Sequence, residues 1–325
     1  MQKSLKYITI PEFQTASGFS CNDLKVSYQS FGRPLNTAPV VLVNHALTGN
    51  SQVIGENGWW DTIIGSGKVI DTNFYTVLSI NIPGNGFGNT LIENYKDFIS
   101  KDIARLFIQV VEALHIKQLH TIIGGSLGGG ISWEMAVLKP DITQYLIPVA
   151  ADWKSSDWLI ANCLIQDQIL NNSVQPIHDA RMHAMLCYRS PESFKKRFHR
   201  SINEEQQLFN TETWLLHHGQ KLQKRFQVSA YKLMNQLLRT IESSNREDFE
   251  VDLSKIEAEI HIVSVDSDLF FTLKENDETY NRLKEVKPDT FHHVITSIHG
   301  HDAFLIEFEQ LDHILTPIFQ QNTKT

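Results

Sequence analysis

The sequence has few cysteines and lacks long hydrophobic stretches. Its three cysteines are far apart in a chain of 325 residues and show no metal-ligand spacing, which is typical of a reduced cytoplasm. No stretch reaches the roughly 18 apolar residues of a membrane span, and the N-terminus lacks the apolar core of a secretory signal. The net charge of −8 is spread along the chain, and no Lys/Arg-rich stretch would follow a phosphate backbone. We therefore expect a soluble cytoplasmic enzyme that binds no metal, membrane or nucleic acid.

Hydrophobic residues make up 42% of the chain, which is enough for a sizeable core. Residues 7–13 and 24–31 alternate between apolar and polar side chains, as half-exposed antiparallel strands do. Continuous apolar runs follow at residues 40–43, 75–80 and 120–123. Such runs predict parallel strands that helices cover on both faces.

Helices separate these strands. One apolar stripe at helical spacing predicts a helix over residues 103–114, and a second helix follows residue 126 and ends near residue 140. A strand is expected at residues 145–149. The alternation of strands and helices predicts a doubly wound, mostly parallel sheet.

The pattern changes in the middle of the chain. Residues 152–249 hold amphipathic helical segments and no convincing strand, so we interpret them as a helical lid inserted into an α/β core of residues 1–151 and 250–325. In the second part of that core, the predicted elements are strands at 259–265 and 290–296 and helices at 274–286 and 303–319.

The run Gly124-Gly125-Ser126-Leu127-Gly128 matches the G-x-S-x-G pattern of a nucleophile elbow. It follows a predicted strand and precedes a predicted helix, and its glycines allow the sharp turn that exposes a serine. A phosphate-binding loop would instead need a lysine after the glycines, or G-x-G-x-x-G near the N-terminus with a later acid, and neither is present. We therefore predict an α/β-hydrolase fold in which Ser126 is the catalytic nucleophile.

A serine nucleophile needs a base and an acid, which follow it in this order in the fold: Asp or Glu, then His. His301 is the better base, because Gly300 and the next helix hold it at a turn, and His299 is the alternative. The acid is expected after the strand at 259–265, where Asp266 and Asp268 are both candidates. Spacing alone does not decide between the two aspartates.

The backbone N–H groups of Leu47 and Leu127 are the expected oxyanion donors. Leu127 follows the nucleophile, and Leu47 lies in the loop after the strand at 40–43. His45 in the same loop is interpreted as a structural residue with satisfied hydrogen bonds.

Nearly the whole chain resembles the homoserine O-acyltransferase family, of the acetyltransferase type built on the α/β-hydrolase fold. The motifs that carry the resemblance, besides the elbow, are Asn44-His45-Ala46-Leu47-Thr48-Gly49, Gly58-Trp59-Trp60-Asp61, Ala180-Arg181-Met182, Tyr188-Arg189-Ser190-Pro191-Glu192, Ser267-Asp268-Leu269-Phe270 and Gly300-His301-Asp302-Ala303-Phe304-Leu305. The resemblance implies a catalytic triad of Ser126, Asp268 and His301. It also implies that Arg181, Tyr188 and Asp302 bind the amino-acid substrate, with the guanidinium on its carboxylate and the carboxylate on its ammonium group.

The resemblance further implies an activity. An acetyl or succinyl group would pass from acyl-CoA, a co-substrate, to the hydroxyl of L-homoserine through an ester on Ser126, in methionine biosynthesis, with no bound cofactor. A homodimer through the lid is also implied. The alternative is a serine esterase or thioesterase that uses the same triad with water as the acceptor.

Overall fold

An eight-stranded sheet lies at the centre of the computed structural model, which describes residues 4–88 and 91–320. The strands of the described residues are β1 (Lys6–Gln14), β2 (Ser20–Gly32), β3 (Val40–Asn44), β4 (Ile64–Gly65), β5 (Ile70–Asp71), β6 (Thr76–Ile80), β7 (Leu119–Gly125), β8 (Thr143–Val149), β9 (Ile202–Asn203), β10 (Leu208–Phe209), β11 (Glu259–Val265) and β12 (Thr290–Ile295). The order in the main sheet is β1-β2-β6-β3-β7-β8-β11-β12. β2 pairs antiparallel with β1 and β6, and the pairs from β6 to β12 are parallel.

Burial along the strands follows the sequence pattern. Every residue of β3, β6 and β7 is buried, as expected for parallel strands between two helical layers. In β1, by contrast, only Ile10 and Phe13 are buried. The predicted fold class, a mostly parallel sheet with helices on both faces, is confirmed.

Helices pack on both faces of the sheet. Among the described residues they are α1 (Ser100–Ala113), α2 (Leu127–Leu138), α3 (Asp157–Asn172), α4 (Pro176–Tyr188), α5 (Pro191–Phe198), α6 (Asn210–Gln223), α7 (Val228–Arg239), α8 (Phe249–Leu253), α9 (Leu273–Val286) and α10 (Phe308–Gln320), with 3-10 helices at Tyr95–Asp97 and Gly300–Leu305. Successive side chains of β7 enter different cores, because Ile122 packs into the cluster with α1 and α2, and Ile123 into the one with α10.

The segment predicted as a lid contains helices α3 to α7, between β8 and β11. It also contains an antiparallel hairpin of β9 and β10, although the sequence predicts no strand there. These strands have two residues each, too few for alternation to be recognised. The division of the chain at residues 152 and 249 remains a prediction, and its ends at 1–3 and 321–325 lie outside the described residues.

The predicted start of the last helix is wrong. The expected helix over 303–319 is divided into the 3-10 helix Gly300–Leu305 and α10, which begins at Phe308. The Ser297 hydroxyl donates to the Glu307 carboxylate across this break at 2.7 Å, which ties the turn to the loop before it. No helix among residues 4–88 and 91–320 is long and apolar enough to cross a membrane.

Candidate active site

Ser126 lies at a strained turn between β7 and α2. Its φ of 56° and ψ of −124° are rare for a residue with a side chain, and it is only 4% exposed. A Cβ on Gly124 would lie 2.4 Å from the backbone of Gly128, and one on Gly128 would lie 2.2 Å from the carbonyl oxygen of Asn44. Both glycines are therefore required because backbone atoms approach too closely for any side chain.

A continuous chain of hydrogen bonds joins Ser126, His301 and Asp268. The Ser126 Oγ lies 2.8 Å from His301 Nε2, and His301 Nδ1 lies 2.7 Å from Asp268 Oδ2. The other oxygen of Asp268 accepts from the backbone N–H groups of Phe270 and Phe271, at 2.6 and 3.0 Å. The Asp268 carboxylate accepts a hydrogen bond from the Nδ1–H group, so Nε2 is left to accept a hydrogen bond from the serine hydroxyl.

The alternatives considered for the base and the acid have other partners. Asp266 accepts from the backbone N–H of Ser297 at 2.9 Å. The Arg189 guanidinium donates to Nδ1 of His299 at 2.7 Å. The structure thus brings together Ser126, Asp268 and His301, whereas Asp266 and His299 are hydrogen-bonded to Ser297 and Arg189.

Gly300 allows the lid to approach the histidine loop. Its φ of +67° is in the left-handed region, and a Cβ there would lie 3.0 Å from backbone atoms of Tyr188, Arg189 and Ser190. The Ser190 hydroxyl also donates to the carbonyl of Ile298. The junction of α4 and α5 is therefore packed directly against the loop that carries His301.

Four aromatic rings surround the imidazole of His301. Their centroids lie between 5.1 and 5.9 Å from that of His301, and they belong to Tyr188, Phe270, Phe271 and Phe304. Sequence reasoning assigned no role to the three phenylalanines, although each lies within three residues of a predicted triad residue. An apolar surround excludes water and strengthens the electrostatic interactions of the triad.

The loop that carries Leu47 leaves the sheet beside the elbow, because Asn44 of β3 pairs with Gly124 of β7. Leu127 is the first residue of α2, so its N–H has no acceptor within the helix. In the same loop His45 is buried, which lowers its pKa to about 4. Its Nδ1 contacts the Ala46 carbonyl at 2.9 Å and its Nε2 accepts from the Ile82 N–H at 3.1 Å, as a neutral structural histidine would.

Arg181, Tyr188 and Asp302 lie close together beside His301. Arg181 and Tyr188 are seven residues apart in α4, on one helix face, and the guanidinium lies 5.4 Å from the centre of the Tyr188 ring. Burial raises the pKa of the Tyr188 hydroxyl, which keeps it a hydrogen-bond donor. Burial also raises the pKa of Asp302, and the charge of Arg181 is the largest effect that opposes this shift. Arg181, Tyr188 and Asp302 are therefore close enough to interact electrostatically with one another.

Two further polar residues adjoin this group and were missed. Arg189 lies 3.9 Å from the Asp302 carboxylate, and its only sequence signal is its position after Tyr188. The Tyr231 hydroxyl of α7 is buried without a hydrogen-bond partner among the described residues, and burial raises its pKa to about 12. Within residues 4–88 and 91–320, no three His, Cys, Asp or Glu side chains are grouped as a metal site would need.

Comparison with known proteins supports the same fold. A family model described as alpha/beta hydrolase fold matches residues 39–162. The structure of homoserine O-acetyltransferase from Bacillus anthracis has a TM-score of 0.86 at 19% identity, with 97% of each chain covered. The structure of esterase E22 has the same TM-score and identity, covering 97% of this chain and 99% of that one. At such low identity, both structures indicate the fold alone.

The sequence comparison is more specific. Homoserine O-acetyltransferase of Trichormus variabilis is 30% identical over 97% of this chain and 93% of its own length. A relative of the same name from Nostoc punctiforme is 31% identical, covering 99% of this chain and 96% of its own. Similarity that extends over nearly the whole of both partners includes the lid as well as the core. The chain therefore belongs to the homoserine O-acetyltransferase family and is an acyltransferase enzyme.

Proposed function

We propose that this enzyme transfers an acetyl group from acetyl-CoA to the hydroxyl of L-homoserine, in methionine biosynthesis, through a covalent ester on Ser126. One observation carries the proposal. The hydrogen-bonded chain of Ser126, His301 and Asp268 ends beside Arg181 and Asp302, a pair of opposite charges suited to an amino acid.

The first half-reaction forms the acyl-enzyme. His301 Nε2 accepts the Ser126 proton as Oγ bonds to the thioester carbonyl carbon. The N–H groups of Leu47 and Leu127 donate to the resulting oxyanion. When the intermediate collapses, the carbon–sulfur bond breaks, and the departing sulfur takes the proton from His301 as CoA leaves.

The second half-reaction reverses these roles. His301 accepts the proton of the homoserine hydroxyl as the hydroxyl oxygen bonds to the ester carbon. When this second intermediate collapses, the bond from that carbon to Ser126 Oγ breaks, and Oγ takes the proton from His301 as the acylated homoserine leaves. The guanidinium of Arg181 binds the substrate carboxylate, and Asp302 binds its ammonium group. A bound ammonium group would favour the ionised form of Asp302, which burial alone disfavours.

Hydrolysis of an ester or thioester is the alternative, since an esterase shares this fold. Water needs no amino-acid anchors, so the charged pair favours the transferase. The decisive assay measures CoA release from acetyl-CoA with and without homoserine, and repeats it with serine and with succinyl-CoA. Release that is independent of both amino acids would refute the transferase proposal. Ser126→Ala is expected to abolish release under either reaction.

Arg181→Ala separates the two half-reactions. Formation of the acyl-enzyme, measured as the burst of p-nitrophenol from p-nitrophenyl acetate, is expected to remain. The kcat/KM for homoserine is expected to fall by about 10- to 150-fold, because hydrogen bonds to a charged group contribute about 1.5–3 kcal/mol. Arg33→Ala, at an exposed arginine outside the site, is the control and should change neither. Equal loss of both half-reactions in Arg181→Ala would contradict the assigned role.

We also propose that the enzyme is cytoplasmic and that two copies form a homodimer through the lid. Support for the dimer comes from α3, where Trp158, Leu164 and Ile165 are 47–55% exposed. Leu164→Asp is expected to produce a monomer in light scattering. An unchanged mass for this variant, or a monomeric native protein, would refute the interface.

A further inference from the structure

The expectation that the chain has no Lys/Arg-rich stretch is wrong at the end of α5, although the chain as a whole carries a net charge of −8. Within residues 195–200, four of the six are lysine or arginine and a fifth is histidine. Lys195 and Arg200 are both exposed. His199 and Arg200 have φ values of 47° and 56°, so two consecutive left-handed residues turn the chain sharply after the helix.

A cleft of about 570 Å³ lies beside this turn, between α5, the hairpin of β9 and β10, and the start of α6. Its apolar walls include the rings of Phe194, Phe198 and Phe209, and its basic walls include Lys195 and Arg200. The Arg200 guanidinium lies 5.4 Å from the centre of the Phe209 ring. Aromatic faces next to cations form a site for a flat ring that carries phosphates.

The cleft is joined to the active site by α5. That helix begins next to the His301 loop, where Gly300 meets Ser190, and its 8 residues extend about 12 Å from there. The pantetheine arm of CoA has about 13 bonds from sulfur to phosphorus, or about 15 Å at the rise of an extended chain. An extended arm is therefore longer than α5, the helix that lies between the His301 loop and the cleft.

We propose that this lid cleft binds the phosphorylated nucleotide end of acyl-CoA, an inference that rests on the proposed function. The adenine ring packs against the phenylalanine rings, and the phosphates lie between Lys195 and Arg200. Four carboxylates are close by in sequence, and one of them, Glu192, is exposed in the first turn of α5, three residues before Lys195. Glu204 and Glu205 are exposed in the hairpin turn, and Glu212 accepts from the backbone N–H of Phe209 at 2.7 Å. Unlike Lys195 and Arg200, none of these carboxylates lines the cleft.

The test combines Lys195→Glu with Arg200→Glu and compares two donors. Acetyl-CoA carries the nucleotide, whereas acetyl-pantetheine has the same thioester without it. The double variant is expected to raise the KM for acetyl-CoA about tenfold or more, because two charge-assisted contacts become repulsive. The KM for acetyl-pantetheine should stay within about twofold. Inhibition by 3′-phosphoadenosine 5′-phosphate should weaken by the same factor as acetyl-CoA binding.

The matched control makes the same change of charge at two lysines outside the lid. Lys25 and Lys117 are exposed and lie outside the lid, so Lys25→Glu with Lys117→Glu should leave both KM values unchanged. If this control raises the KM for acetyl-CoA as much, the effect is long-range and the inference is wrong. Equal losses with both donors in the cleft variant, or in its milder form Lys195→Ala with Arg200→Ala, would also overturn it.

The two proposals fail differently. If the native enzyme cleaves p-nitrophenyl acetate but never releases CoA from acetyl-CoA, the proposed function is wrong. If it uses acetyl-CoA and the cleft variant keeps the native KM, only the nucleotide site is wrong. A cleft variant that loses its dimeric state in light scattering, with an unchanged KM, would assign the cleft to subunit contact and refute the nucleotide site.

Discussion

Asp268→Asn tests the hydrogen-bond chain of the site with little change in shape. The backbone N–H groups of Phe270 and Phe271 both need an acceptor, so the asparagine oxygen is expected to stay on them. The amide NH₂ then faces His301 Nδ1, which must become an acceptor. The imidazole proton moves to Nε2, the atom 2.8 Å from Ser126 Oγ, and that nitrogen no longer accepts the serine proton.

The expected loss follows from this inverted tautomer. In a serine protease the corresponding change lowers kcat by about 10⁴, and each factor of ten corresponds to about 1.36 kcal/mol of activation free energy. We therefore expect kcat to fall by about 10³ to 10⁴, or about 4–5.5 kcal/mol. The unfolding midpoint in urea should change little, because both backbone hydrogen bonds remain.

The assay is acyl-enzyme formation with acetyl-CoA, measured by CoA release. Asp266→Asn is the matched control, because it makes the same change two residues away. The Asp266 side chain accepts a hydrogen bond from the backbone N–H of Ser297. This variant should keep nearly native kcat. If Asp268→Asn retains more than about a tenth of the native kcat, or if Asp266→Asn loses as much, the reasoning is refuted.

Three other substitutions test separate features. Burial raises the pKa of Asp152 from its ordinary 3.8 to about 7, so its contribution to the free energy of unfolding is complete in acid and is lost as pH rises from about 4 to about 7. Asp152→Asn should lack that decline in urea titrations, and parallel pH curves for the two proteins would contradict it. Gly128→Ala places a Cβ 2.2 Å from a backbone oxygen, so we expect it to lower the free energy of unfolding by about 1–3 kcal/mol or more. A native unfolding midpoint in the same urea titrations would disprove the steric argument. Phe304→Ala removes the side chain of a residue that is 2% exposed and should lower the free energy of unfolding by about 3–5 kcal/mol. Phe74→Ala, at a residue 51% exposed, is the control and should lower it by less than about 0.5 kcal/mol. Similar losses in both variants would refute the packing argument.

The local hydrophobic pattern of the sequence was sufficient to predict the main strands and helices of the core. Every residue of β7 is buried and only two residues of β1 are, because one strand is covered on both faces and the other is largely exposed. Periodicity reports such burial, so fold class could be predicted from it. The hairpin of β9 and β10 and the division before α10 could not be predicted, because two-residue strands have no period and a 3-10 turn depends on contacts such as Ser297 with Glu307.

The sequence by itself identified the elbow, because the G-x-S-x-G pattern lies between a strand and a helix, and the contact that requires Gly124 is with Gly128, only four residues away. The contact that requires Gly128 is with Asn44 of β3, so it depends on the tertiary structure. The sequence also determined that an acid and a base follow in the loops after β11 and β12. Only the tertiary structure gives the hydrogen-bond partners that distinguish Asp268 from Asp266 and His301 from His299. Those pairs are two residues apart with the same chemistry, whereas the hydrogen bonds that distinguish them join residues 33 and 175 positions apart. Contacts over such separations depend on how the sheet and the lid pack, which no local pattern encodes.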